Sequence, residues 1–281
     1  MQKFDLDWGH HYLMCPPDHY SVEYAINPWM DHGTTVDRSR AVHQWERLVT
    51  TIERAGGLVD VVTPDPGLPD MVFTANAGVI SDRTFIPASM RFPERAREPE
   101  LVAAWAEEQG FAVVPVAEGT FEGMGDLLPF AGRFVAGHGH RSNRVAWRTI
   151  SQVLSTPVID IALPEPRFYH LDLVFTPLDS HSALIAPLGL TSAGLETLMA
   201  LVPDPILLTD AEALSFSANS IVVGGTVISP ALSDRLSTEL RDRGFNPVVA
   251  PVGEFLKAGG AVRCLTLPLD VELGADIARS A

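Results

Sequence analysis

The chain carries only two cysteines, Cys15 and Cys264, in 281 residues. Two thiols so far apart make no disulfide framework, and they fit a reducing cytoplasm. No apolar run is long enough to span a bilayer, and Met1-Gln2-Lys3-Phe4-Asp5 lacks the pattern of a signal peptide. Positive charge is scarce: 20 Lys and Arg stand against 35 Asp and Glu, for a formal net charge of −15. A nucleic-acid surface needs the opposite balance, whereas an acidic chain tolerates a cationic small molecule. Neither G-x-x-x-x-G-K-[ST] nor G-x-G-x-x-G after a strand occurs, so the nucleotide-cradling loops have no support. Charged residues reach 20% and hydrophobic ones 46%, which excludes a disordered chain. No low-complexity linker or composition break divides it, and residues 1–281 read as a single domain.

The pattern along the chain is mixed. His11-Tyr12-Leu13-Met14-Cys15 reads as a buried strand stopped by Pro16-Pro17, which makes Cys15 a core residue. Val42, Trp45, Leu48, Val49 and Ile52 form one apolar helix face that ends at Gly56-Gly57. Residues 94–110, 144–154, 194–201 and 231–243 read as further helices. Strands are expected at 58–63, 111–116, 127–130, 133–136, 157–162, 169–175, 183–186, 220–228 and 247–250. Strands in pairs alternate with single helices about five times, which gives an α/β chain whose sheet is open or closed.

Several places could gather chemistry. Residues 257–268 pair Gly259-Gly260 with Cys264 and then run apolar, which predicts a strand with Val262 and Cys264 on one face. A thiol near a close-packed turn is either a small buried hydrophobe or, with a partner, a nucleophile. His170-Leu171-Asp172 sits in a strand pattern, so imidazole and carboxylate share a face. That pair serves a thiol as general acid/base, or lies on the surface. Glu122 and Asp126 flank a glycine-rich loop and suit a cationic group, or form a solvated acidic turn. Gly137-His138-Gly139-His140 offers too few convergent ligands for zinc. Arg141 precedes a helix, where its fork can clamp a carboxylate or stay solvated.

Together these pieces resemble the guanidine-modifying superfamily of arginine deiminases, dimethylargininases, amidinotransferases and arginine dihydrolases. The resemblance runs through Pro69-Asp70-Met71-Val72-Phe73-Thr74-Ala75-Asn76, Phe121-Glu122-Gly123-Met124-Gly125-Asp126, Arg141-Ser142-Asn143, His170-Leu171-Asp172 and Gly259-Gly260-Ala261-Val262-Arg263-Cys264. Met14-Cys15-Pro16-Pro17-Asp18-His19-Tyr20 and Asn27-Pro28-Trp29-Met30 look most like the catalytic module of bacterial arginine dihydrolases. The resemblance implies a five-bladed α/β propeller (pentein) of five ββαβ units around a pseudo-fivefold axis, with the site in the central channel. It implies a covalent thiol mechanism without metal or cofactor. Cys264 would attack the guanidinium carbon, and His170 would protonate the leaving amine and later activate water. Glu122 would act beside them, and Glu122 and Asp172 would hold the guanidinium. Asn76, Asp126 and Asn27 would join the substrate site, and Arg141 with Arg91 would hold the α-carboxylate. Deiminases usually carry an acid where this chain has Asn76, and Glu-Gly-Gly-Asp where it has Glu122-Gly123-Met124-Gly125-Asp126. An amide both donates and accepts, so the expectation is an arginine dihydrolase that hydrolyses twice. The alternatives are a dimethylargininase or arginine deiminase that stops at citrulline, and a non-catalytic arginine-binding propeller. The expected partner is arginine or a methylated arginine, with no nucleic acid and no membrane, in a cytoplasmic protein for which an oligomer is compatible.

Overall fold

Paired left-handed residues recur at the tips of three hairpins: Asp82-Arg83 (φ 48° and 63°), Ala131-Gly132 (49° and 73°) and Gly224-Gly225 (52° and 76°). Two consecutive residues with φ above zero are what a type I′ turn requires, and that turn matches the twist of the strands it joins. In the computed structural model, which describes residues 6–31 and 33–273, these tips belong to a repeated device. An inner strand turns into an antiparallel neighbour, and a helix then crosses to a third strand laid parallel to that neighbour. Residues 1–5, read above for a leader, lie outside the described residues.

Five three-stranded sheets result. In the first, β1 (His11–Met14) leads through helix α1 (Arg38–Arg54) to β2 (Leu58–Val61). The second holds β3 (Gly78–Ser81), β4 (Thr84–Pro87), α2 (Glu98–Glu108) and β5 (Ala112–Val113). The third holds β6 (Leu127–Phe130), β7 (Arg133–His138), α3 (Arg144–Leu154) and β8 (Val158–Ala162). The fourth holds β9 (Phe175–Pro177), β10 (Ser182–Ile185), α4 (Ser192–Leu201) and β11 (Asp204–Leu207). After the short α5 (Asp210–Leu214), the fifth holds β12 (Ile221–Val223), β13 (Thr226–Ser229), α6 (Asp234–Asp242) and β14 (Asn246–Val249). Past α7 (Gly253–Leu256), β15 (Leu267–Pro268) returns to pair antiparallel with β1, Leu267 opposite Leu13. One sheet therefore joins the two ends of the described chain.

Burial follows strand position. Both strands of each hairpin are mostly buried, while the parallel third strands are partly exposed, with Leu58, Val61, Leu207 and Val249 open to solvent. The core thus lies among the inner strands and the turns that lead into them. Helix α1 buries Ala41, Gln44, Leu48 and Ile52. That face is rotated from the expected one, so Val42, Trp45 and Val49 are only half-buried. Its start is capped by the Asp37 side chain, which accepts from the Arg40 N–H, a contact typically contributing about 1 kcal/mol.

Three expectations need correction. Residues 169–175 do not form a strand: His170 caps a 3-10 turn over Leu171–Leu173, and the strand begins at Phe175. Residues 257–268 are mostly turns, with the Leu265 N–H bonded to the Ala261 carbonyl, and only Leu267–Pro268 is strand. The helix expected from 94 begins at Glu98, because Pro93 opens a separate 3-10 turn and Pro99 sits in the helix's first turn. In the first two, alternating apolar residues imitate period two while the backbone hydrogen bonds run i to i−3 or i−4. Among the described residues no helix is long and apolar enough to cross a membrane.

Candidate active site

Each sheet is entered through a tight turn, and each turn carries a buried polar side chain. Asn76 lies ahead of β3, Glu122 and Asp126 ahead of β6, His170 and Asp172 ahead of β9, Asn219 ahead of β12, and Cys264 ahead of β15. Tight turns leave polar groups outside the strand ladders, so these five bury donors and acceptors where strands would bury apolar groups. Hydrogen bonds tie the turns together. The Ala75 N–H donates to the Cys264 carbonyl, and the Tyr169 hydroxyl donates to the Gly259 carbonyl at 2.7 Å.

Cys264, Asp172 and Asn219 meet at one point. The Cys264 thiol donates to Asp172 Oδ2 at 3.3 Å, and Asn219 Nδ2 donates to the sulfur at 3.2 Å. Asn219 Oδ1 meanwhile accepts from the N–H groups of Arg263 and Cys264 at 3.0 and 3.3 Å. One amide therefore fixes both the loop and its thiol. Burial and then the Asp172 charge push the Cys264 thiol well above its usual range, so the resting sulfur is protonated at neutral pH. Burial pushes Asp172 up to about 7, against the pull of Cys264, Arg263 and Asn219.

Glu122, His170, Arg141 and Asp126 form a second group. Glu122 Oε2 accepts from Arg141 Nη1 at 2.6 Å and faces His170 Nε2 at 2.9 Å. Burial works against that carboxylate, but Arg141 and His170 outweigh it and hold Glu122 below the usual carboxylate range. The Arg141 guanidinium lies over the Phe92 and Tyr169 rings at 4.8 and 4.7 Å, and its Nη2 donates to the Ile26 carbonyl. Asp126 accepts from Ser142 Oγ at 2.6 Å and from the Leu171 N–H at 2.9 Å. Burial pushes Asp126 up to about 6 against the pull of His170. The His170 and Asp172 side chains thus part company: one pairs with Glu122 and the other with Cys264, instead of sharing a strand face.

Asn76 bridges toward this group. Its Oδ1 accepts from Arg95 Nη1 at 2.9 Å, and Arg95 is itself held by Glu98 through Nε and Nη2 at 2.9 and 2.7 Å. Its Nδ2 donates to the Glu122 carbonyl at 3.5 Å and lies against Gly125. A Cβ at Gly125 would come within 2.4 Å of Asn76 Nδ2 and 3.3 Å of His170 Nδ1, so only glycine leaves these two atoms their common space. His170 Nδ1 has no hydrogen-bond partner among the described residues.

Seven of the nine candidate side chains are thus gathered: Cys264, Asp172, His170, Glu122, Asp126, Arg141 and Asn76. Two are placed otherwise. Asn27 braces a turn, accepting from the Trp29 N–H and donating to the Ala258 carbonyl beside Gly259. The Arg91 side chain is exposed, and its backbone N–H donates to Glu122 Oε1 at 3.3 Å. Sequence reading missed Asn219, Arg95 and Ser142. Asn219 had a signal, because Thr74-Ala75-Asn76-Ala77 recurs as Ser217-Ala218-Asn219-Ser220. Chemically, a buried carboxylate against a thiol suits a planar cation rich in N–H donors.

Comparison with known proteins agrees with this geometry. The eukaryotic N,N dimethylarginine dimethylhydrolase family matches residues 21–271. The N(G),N(G)-dimethylarginine dimethylaminohydrolase of Mycobacterium tuberculosis is 42% identical over 258 residues, 92% of this chain and 85% of that protein. The bifunctional arginine dihydrolase/ornithine cyclodeaminase ArgZ of Synechocystis is 39% identical over 261 residues. That match covers 91% of this chain but only 37% of ArgZ, so the chain spans well under half of that relative. The solved N-terminal domain of the cyanobacterial ArgZ, a cysteine-to-serine mutant bound to substrate, superposes with a TM-score of 0.90 at 37% identity. It covers 94% of this chain and 99% of that domain.

Proposed function

The chain belongs to the dimethylarginine dimethylhydrolase family and is a hydrolase of guanidino compounds with a cysteine nucleophile; on that premise we propose that it is an arginine dihydrolase, converting L-arginine to L-ornithine, carbon dioxide and two ammonia. Residues 1–281 act as one cytoplasmic catalytic domain. Its five units close into a five-bladed α/β propeller about a pseudo-fivefold axis, a closure supported by the pairing of β1 with β15. Cys264 is the nucleophile, and Asp172 with Glu122 holds the substrate guanidinium. Entry of that cation beside Cys264 and Asp172 favours the thiolate. Attack on the guanidinium carbon gives a tetrahedral adduct, and a proton from His170 lets ammonia leave. Water activated by His170 then opens the thioester-like amidino intermediate and returns the sulfur. No step calls for a metal or cofactor, because the thiol supplies the nucleophile and the imidazole moves the protons.

The observation that carries two hydrolyses rather than one is the Asn76 amide. Arg95 occupies its oxygen and one amide N–H goes to the Glu122 carbonyl at 3.5 Å, which leaves the second N–H as a donor on the Gly125 side. After the first ammonia leaves, the product is a neutral ureido group whose oxygen wants a donor. Asn76 supplies it, so the ureido group stays for a second attack: Cys264 adds to the ureido carbon, the second ammonia leaves, and water cleaves the resulting thiocarbamate to return the sulfur and give the N-carboxy amine, which loses carbon dioxide to leave ornithine. An ionised Asp there would pair with Arg95 and present no donor. An unmatched buried acceptor costs about 1–3 kcal/mol, or roughly 5- to 150-fold between retention and release. Asn76→Asp is therefore expected to shift the product from ornithine to citrulline, read by amino-acid analysis and ammonia stoichiometry. Native enzyme that yields citrulline and one ammonia from arginine would overturn the dihydrolase reading. The activity of the Mycobacterium tuberculosis relative favours a second reading, in which dimethylarginine gives citrulline and dimethylamine. Product analysis on arginine, methylated arginines and citrulline separates the two.

Arg141 takes the α-carboxylate in this proposal, with Arg91 at the exposed side, which requires it to release the Ile26 carbonyl. It also balances Glu122, both side chains being about 2% exposed or less. Breaking a buried pair from one side typically costs about 3–5 kcal/mol. Arg141→Ala should lower unfolding stability on that scale in a urea titration. It should also weaken arginine far more than agmatine, which lacks the carboxylate. Equal weakening would leave Arg141 as the partner of Glu122 alone.

A further inference from the structure

Asn219 has no part in the chemistry above, yet it touches the nucleophile. It is fully buried in the turn ahead of β12, and its amide makes hydrogen bonds on both sides. Oδ1 accepts from the Arg263 and Cys264 N–H groups at 3.0 and 3.3 Å, and Nδ2 donates to the Cys264 sulfur at 3.2 Å and the Asp172 carbonyl at 3.4 Å. A backbone N–H only donates, so the amide atom that faces those two groups is the oxygen. The NH2 group is therefore held on the sulfur side. The related turn Thr74-Ala75-Asn76-Ala77 sets its amide nitrogen against Gly125 instead.

The sulfur needs that donor differently in its two states. As a thiol it donates to Asp172 Oδ2 at 3.3 Å, and the Asn219 contact adds little. As a thiolate it has lost that hydrogen bond and faces a carboxylate, so a donor on the sulfur counts most then. A hydrogen bond to an ionised acceptor is roughly twice as strong as one between neutral groups, and only an interaction that strengthens along the reaction speeds it. When the carbon–sulfur bond breaks at the end of a hydrolysis, the electron pair returns to sulfur. The same donor then serves the leaving group.

We propose that Asn219 is a catalytic residue of this site: its amide N–H donates to the Cys264 sulfur and stabilises the thiolate, as it attacks and again as it is expelled. The amide oxygen holds the loop that carries the sulfur, which keeps the donor aimed. The proposal rests on Cys264 as the nucleophile, assigned above, and adds no proton transfer to that scheme. It makes an amide necessary where a carboxylate of the same shape would fail, because the carboxylate has no N–H to give and repels an anionic sulfur.

Asn219→Asp and Asn219→Ala separate the two halves of the amide. The first keeps an acceptor for the Arg263 and Cys264 N–H groups but turns an oxygen toward the sulfur. The second removes both halves and adds no charge. The assay uses whichever of L-arginine and dimethylarginine the native protein turns over. One preorganised donor to a developing oxyanion is typically worth about 10²–10³-fold in kcat, and sulfur spreads its charge more widely, so Asn219→Ala should lower kcat by about 10- to 100-fold and Asn219→Asp by more. Affinity should not follow. Placed in a Cys264→Ser background, both changes should leave calorimetric binding of the same substrate within a few-fold, or tighter for Asn219→Asp, which adds a negative charge. A residue that only held the loop would give the reverse order, with Asn219→Asp the more active of the two, and that order would overturn the proposal. So would Asn219→Ala with kcat within a few-fold of native, or an affinity loss that matches the loss of kcat. If Asn219→Asp does not fold, Asn219→Ala decides alone through the split of kcat from affinity. Turnover in Cys264→Ser would sink the assignment of the nucleophile; an inactive Cys264→Ser beside near-native Asn219 variants sinks the Asn219 proposal alone.

Discussion

Cys264→Ser should abolish turnover while leaving the fold in place. The sulfur is 2% exposed and held by Asp172 and Asn219, and a serine hydroxyl can keep both contacts at nearly the same volume. What it cannot do is become an anion when a guanidinium arrives, because a hydroxyl holds its proton far more tightly than a thiol. Loss of a nucleophile that works as a unit with its base costs on the order of 10⁴- to 10⁶-fold in kcat. Unfolding midpoints should stay within about 1 kcal/mol of native. Cys15 provides the internal control. It too is buried, its thiol pushed up to about 12 by burial and then by Glu98 and Asp18, and it sits at the end of β1 in the core. Cys15→Ala should leave kcat nearly unchanged and cost about 1 kcal/mol or less of stability, from a small cavity. Measurable steady-state turnover in Cys264→Ser, above a blank, would remove the covalent mechanism.

His170→Ala is the second large effect. A positioned acid/base contributes roughly 10²–10⁴-fold, and the geometry says which nitrogen does it. Nε2 is committed to Glu122 at 2.9 Å, whereas Nδ1 faces the space beside Gly125 and Asn76 without a partner among the described residues. In the proposed mechanism Nδ1 is therefore the atom that would protonate the leaving amine, with Glu122 holding the ring through the opposite nitrogen. His170→Ala should lower kcat by at least about 10²-fold. His170→Gln, which can keep a contact to Glu122, should lower it similarly, because an amide does not exchange protons near neutral pH. A drop of only a few-fold at unchanged stability would make His170 a bystander. The acid limb of kcat/KM in the native protein should fall near pH 6–7. Asp172 is pushed up to about 7 and Asp126 to about 6 by burial; if each serves the substrate as an anion, as proposed, binding of the cation is present above these values and is lost as pH falls through them.

By itself the amino-acid sequence determined the residue types of the site and most of the elements that carry them. The β6–β7 hairpin, helix α3 and the strand ending before Pro16-Pro17 were legible because short-range signals specify them: turn residues at fixed offsets, caps, and apolar periods. The set of motifs around Glu122, His170 and Cys264 also pointed to a guanidino substrate. The tertiary structure alone decided how those groups pair. Apolar residues around His170 and Cys264 alternate as in a strand, yet the backbone there closes into tight turns whose ends carry the polar groups inward. Glu122 meets a histidine 48 positions away, and Cys264 meets Asn219 and Asp172 at 45 and 92 positions. Contacts of that span are fixed by the packing of whole sheets, and no local pattern encodes them. The same holds for Arg95, 19 positions from Asn76, and for Arg263, buried under Trp8 and Phe175 that arrive from distant parts of the chain.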